Sequence, residues 1–354
     1  MGSTRFGNFD QFCADTTLPV CNLLSPTDNQ AGPWDGCELK GIPLSGDRRL
    51  GNLGSILLCG IAIVSTLGLL VRSERKRAAV GRREMQLFLL GYLLISISEI
   101  FSVGEFPISS KVRLAFSAIN IGAIAATTWV LFLNALVGYQ FMEDGTPISV
   151  ALVGGSGLVF LVGVGYIALD TGFSFTGFWN SSLELPNRSI ALYVLYLIVP
   201  LLWIVLFFLL ESVLVLRVLG EIRPMLFLVG AAAAFAAGQV FNFVVSPYIC
   251  NGTSGAIDGS LFQTLFTLVS VILVWLFWSS ITEDDWEMEP FGPSYASESN
   301  AIPGRRTYAS DYNTMSGTRP YAETSEYNGA PGARSYIDGP DYSGVAGMHP
   351  SSRA

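Results

Sequence analysis

Histidine is almost missing from this 354-residue chain, whose one His, His349, stands close to the C-terminal end. A membrane-embedded zinc hydrolase needs several His ligands, or His with carboxylates, around an open water position, so that chemistry is excluded. A serine nucleophile needs a base, usually His, and Gly154-Gly155-Ser156-Gly157 therefore reads as a small surface for close helix packing. Lysine is scarce too: Lys40, Lys76 and Lys111 all fall outside the apolar cores, leaving no late-helix Schiff-base lysine for a retinal pump. Asp is lacking inside the apolar segments, with Asp170 at an end and Asp258 in a loop, so the facing carboxylates of an aspartyl protease have no source. Charged residues make up only 14% and the formal net charge is −8, which argues against a nucleic-acid partner. No enzyme and no cofactor are expected.

Long apolar runs are what the chain does have. Residues 51–71, 86–104, 114–139, 149–169, 189–216, 225–246 and 259–279 each reach the roughly 20 residues that cross a hydrocarbon core of about 30 Å. They are greasy all round, unlike the amphipathic segments of a soluble core. The expected fold is all-α and polytopic: an N-terminal segment at 1–50, a seven-helix bundle at 51–280, and a tail at 281–354.

The loops between the helices alternate in chemistry. The first holds Arg72, Arg75, Lys76, Arg77, Arg82 and Arg83, a cluster that stays cytosolic under the positive-inside rule, and the fifth holds Arg217 and Arg223. Seven crossings then place the N-terminus in the lumen and the tail in the cytosol. Residues 1–40 contain no continuous apolar h-region, so the first helix is expected to translocate the N-terminus itself. The glycosylation acceptors Asn180, Asn187 and Asn251 all fall in loops assigned to the lumen. So do Cys13, Cys21, Cys37 and Cys250, four of the five cysteines, which permit three pairings; Cys59 lies inside the first helix.

The N-terminal segment is too poor in apolar residues to build its own core and reads as a disulfide-stapled cap over the helix ends, or as a plain linker. After Trp278 comes an acidic run, Glu283, Asp284, Asp285, Glu287 and Glu289, and then a tail rich in Gly, Ser, Pro and Tyr that is expected to be disordered. The run is either a solvated patch or a signal read by transport-coat machinery.

Polar residues within the helices need a reason to be there. Glu99, Asn120, Asn134, Glu211, Gln239, Asn242 and Gln263 can bond across helices, and Pro200 is expected to kink the fifth. A transport path is the alternative, with Glu99 its best candidate. A receptor survives only in outline, since the third helix ends Val137-Gly138-Tyr139-Gln140 and the seventh has neither Asn nor Pro.

Several local patterns occur together: the run from Phe9 to Cys21 with Leu18-Pro19; Gly81-Arg82 and Glu84 before the second helix; Glu143-Asp144-Gly145-Thr146; Gly238-Gln239-Val240; Ile249-Cys250 with Asp258-Gly259; and Thr282 to Asp285. In this order the chain resembles the fungal chitin synthase export chaperone family over residues 6 to about 290. The resemblance implies a multi-pass protein of the endoplasmic reticulum membrane, surrounded by membrane lipid, without catalytic residues, that a chitin synthase needs in order to leave that compartment. Expected contacts with the synthase are the helix face at Gln239 and Asn242 and the acidic sites Glu143, Asp144, Asp284 and Asp285. A seven-helix receptor and a small-molecule transporter are the alternatives.

Overall fold

The structure, a computed structural model, describes residues 6–24, 39–43, 49–76, 79–104, 109–139, 146–179, 188–220 and 222–282. Among them, seven helices are long and apolar enough to cross a membrane: Leu53–Arg75, Arg82–Ser102, Ser110–Gly138, Pro147–Phe173, Ile190–Val218, Ile222–Gly252 and Gly259–Ile281, the first to seventh spans. The all-α, polytopic architecture is thus present. Two short helices, α1 (Asp10–Asp15) and α2 (Pro19–Leu24), precede the bundle, and strands β1 (Ile42–Pro43) and β2 (Arg49–Leu50) pair antiparallel. Every described residue belongs to one compact unit, Met1–Glu289. The N-terminal segment therefore shares its unit with the bundle.

Local chemistry sets the helix ends. Asn52 caps the first span by accepting from the Ser55 backbone N–H at 3.1 Å, and Thr146 caps the fourth from Ser149 at 3.2 Å, with Pro147 in the first turn. The second span starts at Arg82, after Gly81 in the left-handed region at φ 66°. This corrects the expectation that Glu84 precedes the helix: it lies in the first turn, fully buried, and accepts from the Ser149 hydroxyl at 2.8 Å. A buried donor on the neighbouring span lets the helix continue over a charge that the apolar pattern alone would exclude.

The prolines do not end their helices. Wide π turns occupy Tyr193–Ile198 just before Pro200, and Phe241–Val245 just before Pro247. In a regular ladder the Pro200 ring would meet the Tyr196 carbonyl and leave it without a donor; a π turn makes room for the ring within a continuous helix. So the sixth span runs on to Gly252, past the expected end at 246.

Lipid supplies little hydrophobic drive between helices, so the bundle depends on close packing and interhelical hydrogen bonds. The third span is central: 61% of its most apolar window is buried, against 22% for the fifth and sixth. Gly122 permits that centrality, because a Cβ there would stand 2.6 Å from the Leu161 carbonyl oxygen. One buried cluster joins Phe88, Leu131, Phe207, Leu268, Trp275 and Trp278. The other lies beneath α1 and α2, where Phe9, Leu18, Val20 and Leu23 meet Ile121, Val164 and Tyr196.

Candidate functional site

The bundle has two unlike ends. At the capped face, α1 and α2 are joined by a Cys13–Cys21 disulfide and lie on the span ends. Asn22 donates to the Ser102 carbonyl at 3.1 Å and to the Ser117 hydroxyl at 2.9 Å, tying α2 to the second and third spans. The Ser189 N–H donates to the Gly7 carbonyl at 2.9 Å, and the Lys40 N–H to that of Gly255 at 3.0 Å. Asn52 reaches across to the seventh span, donating to Asp258 Oδ1 and Ser260 Oγ, both at 3.0 Å. Ser260 in turn donates to Asp258 at 2.6 Å. A buried carboxylate with two donors holds first and seventh spans together.

Beneath this cap lies a cavity of about 450 Å³ where the two buried clusters meet. Phe12, Thr17, Leu18 and Pro19 form its lid, and the second, third, fifth, sixth and seventh spans its walls. Near the lid the walls are polar. The Thr264 hydroxyl lies 2.7 Å from Glu99 Oε1, and Asn120 donates to the Ile95 carbonyl at 3.2 Å and to Ser98 Oγ at 3.0 Å. Gln239 and Gln263 also line the cavity. Thr17 and Thr127 each bring a buried hydroxyl without a partner to its lining. Farther from the lid the walls are apolar: Phe88, Leu131, Phe208, Val271 and Val274. Leu201 of the fifth span is both a wall residue and 56% exposed, so the cavity wall there reaches the outer surface of the bundle.

The opposite face has a smaller cleft of about 200 Å³, lined by Gly81, Asn134, Gly138, Glu211, Trp278 and Thr282 among others. Here Trp278 donates to the Val80 carbonyl at 2.9 Å, but Glu211 Oε2 and Asn134 Nδ2 are buried without partners. Just outside, the Tyr139 hydroxyl donates to the Leu210 carbonyl at 2.7 Å; burial, then the Glu211 charge, hold its pKa above the usual phenol value. Glu99 and Glu211 line different cavities and form no carboxylate pair. Ser156 accepts from Trp129 Nε1 at 2.9 Å, a packing contact between the third and fourth spans.

Of the residues singled out by sequence, Gln239 lines the large cavity and Asn242 is fully buried in the Phe241–Val245 π turn, both its amide atoms unpaired. Gly238 packs on Phe266 and Gln263 of the seventh span. Gln239 and Asn242 are thus turned toward the bundle, Gln239 from the regular helix Ile222–Val240 and Asn242 from the π turn that follows it. Asn251 is exposed at the end of the sixth span, and Cys250 is disulfide-bonded. Cys37, Glu143, Asp144, Asn180, Asn187, Asp284 and Asp285 lie outside the described residues. Sequence reasoning missed Thr17, Thr127 and Thr264, since threonine is unremarked in an apolar helix; their hydroxyls matter only through what faces them.

A family model described as chitin synthase export chaperone matches residues 5–291. A Cryptococcus neoformans protein named chitin synthase export chaperone is 32% identical over 287 residues, covering 80% of this chain and 76% of its own. Proteins of the same name from Aspergillus clavatus and Neurospora crassa are 30% and 28% identical, each over 80% of this chain and over 84% and 78% of their own. No solved structure matches the chain.

Proposed function

The chain belongs to the chitin synthase export chaperone family, and on that premise we propose that it binds a chitin synthase in the endoplasmic reticulum membrane and enables its exit, without catalysing a reaction. The observation that carries this reading is the extent of the match: residues 5–291 take in the lid and all seven spans and stop where the tail begins. The work is then done by the bundle and its loops. In the proposed orientation the capped face is lumenal and the opposite face cytosolic, which puts Asn180, Asn187 and Asn251 where glycosylation occurs. With Cys13–Cys21 closed and Cys59 free within the first span, Cys37 is the remaining thiol for Cys250.

Contact with the synthase falls to the cytosolic face. The cleft at Glu211 and Asn134 has a buried carboxylate oxygen and an amide NH₂ with no partner among the described residues, a costly arrangement in which a basic client side chain would satisfy the carboxylate and a client carbonyl the NH₂. Glu143, Asp144, Asp284 and Asp285 belong to the same side and would attract basic cytosolic segments of the synthase. The acidic run is also the place for transport-coat machinery to read. Gln239 and Asn242, being internal, act in this scheme by shaping the sixth span.

Deleting the gene and imaging tagged chitin synthase tests the reading: reticular retention of one isoform supports it, and unchanged surface delivery removes it. Asp284→Ala/Asp285→Ala tests the acidic run separately, since intact export would leave it a solvated patch. The receptor and transporter alternatives are not favoured by this family membership.

A further inference from the structure

We propose that the large cavity beneath the lid binds a membrane amphiphile that carries an ammonium head group and an aliphatic chain. This inference is independent of where the synthase docks. Glu99 is the only charged residue of the cavity wall, and Thr264 supplies its one described hydrogen bond. A cationic donor would satisfy the carboxylate, whereas a purely anionic head would meet a negative charge and no Lys, Arg or His. The unpaired hydroxyl of Thr17 and the amides of Gln239 and Gln263 stand close to the lid, ready to complete the shell of such a head.

The shape suits the same class of ligand. Polar groups gather at the capped end, and the wall turns apolar along Phe88, Leu131 and Val274, so a molecule enters with its head at interface depth and its chain along the spans. A volume of about 450 Å³ accommodates one chain and a small head rather than a helix of another protein. Leu201 marks the way in, since it lines the cavity and is exposed on the outer surface of the fifth span. The disulfide-closed lid lies over the capped end of the cavity.

Two sources share this chemistry, an amine-headed phospholipid that puts one of its two chains into the cavity and leaves the other in the bilayer, and a single-chain long-chain amine. The test equilibrates purified full-length protein with phosphatidylcholine vesicles doped, in separate arms, with phosphatidylethanolamine, octadecylamine, phosphatidylglycerol or a sterol, and counts retained lipid by mass spectrometry. Retention of one amine-bearing molecule per chain is expected. Retention in the phosphatidylethanolamine arm names the phospholipid, and retention in the octadecylamine arm alone names the single-chain amine. Glu99→Gln keeps the side-chain shape and is expected to weaken retention roughly tenfold or more, the loss of one charge-assisted hydrogen bond. Should that variant not fold, as read by its melting without lipid, Thr267→Phe fills the cavity wall and carries the same expectation. Equal retention by folded Glu99→Gln, preference for phosphatidylglycerol or sterol, or capture of the synthase chain instead of lipid by a photoreactive residue at Leu201 each overturns the proposal.

Discussion

Glu99 and Glu211 are both carboxylates inside an apolar bundle, yet their surroundings differ in kind. Glu99 has Thr264 against one oxygen, a roomy cavity beside it and a stapled lid above. Glu211 has a small cleft and a buried oxygen with no donor. The capped end is tied together by bonds between elements: Asn22, Asn52, Asp258 and Ser260 bond across four spans and the N-terminal segment, while Thr17, Ser102 and Asp258 each keep a buried oxygen without a partner among the described residues. The opposite end leaves polar groups unanswered, and they lie on the side where the acidic loops are placed. In the proposed scheme the capped end holds a small molecule and the opposite end is completed by a partner.

Breaking the capped end should cost most. A Cβ at Gly259 would run into the Phe241 carbonyl oxygen and come within 2.6 Å of the Ser246 Cβ, whereas one at Gly138, on the opposite face, would meet nothing nearer than 3.5 Å. Gly259→Ala is therefore expected to lower stability by about 3 kcal/mol, and Gly138→Ala to leave it level or raise it by up to about 1 kcal/mol through helix propensity. Thermal melting in detergent checks both. Cys13→Ser opens a short loop and is expected to cost roughly 2 kcal/mol, with the lid cut faster by protease than in the parent.

How much of this was readable in advance varies with the physics involved. The seven spans were, because apolar length is a property of the sequence alone. The lid's cysteines were visible as candidates, but their pairing depended on α1 and α2 turning back on each other. Where Pro200 and Pro247 stand, a kink or an end was the natural expectation; continuity came from π turns, which carry no compositional mark. Glu99 stood out by its charge, while its partner Thr264 is 165 residues away and was found only by folding. Gln239 and Asn242 were noticed as amides able to bond across helices or to meet the synthase, but that one would line a cavity and the other sit buried in a π turn was not readable in the residue pattern.

Smaller effects sharpen the contrast. Glu211→Gln removes an uncompensated charge, so the isolated protein should melt at the same temperature or a few degrees higher even as synthase recovery falls. Tyr139 offers the slightest change. Its phenol is held protonated beyond the usual pKa of 10.0, so the stability it lends is present below that value and is lost only as pH rises through the higher folded pKa. A difference titration of the parent against Tyr139→Phe should therefore lose one late-titrating phenol.

Co-purification of tagged chitin synthase with full-length Glu211→Gln and Glu99→Gln proteins, compared side by side, tests the division between the two ends most directly. The expected result is that synthase recovery drops with Glu211→Gln and stays at the parent level with Glu99→Gln. Equal recovery with both variants, or a loss confined to Glu99→Gln, would contradict it.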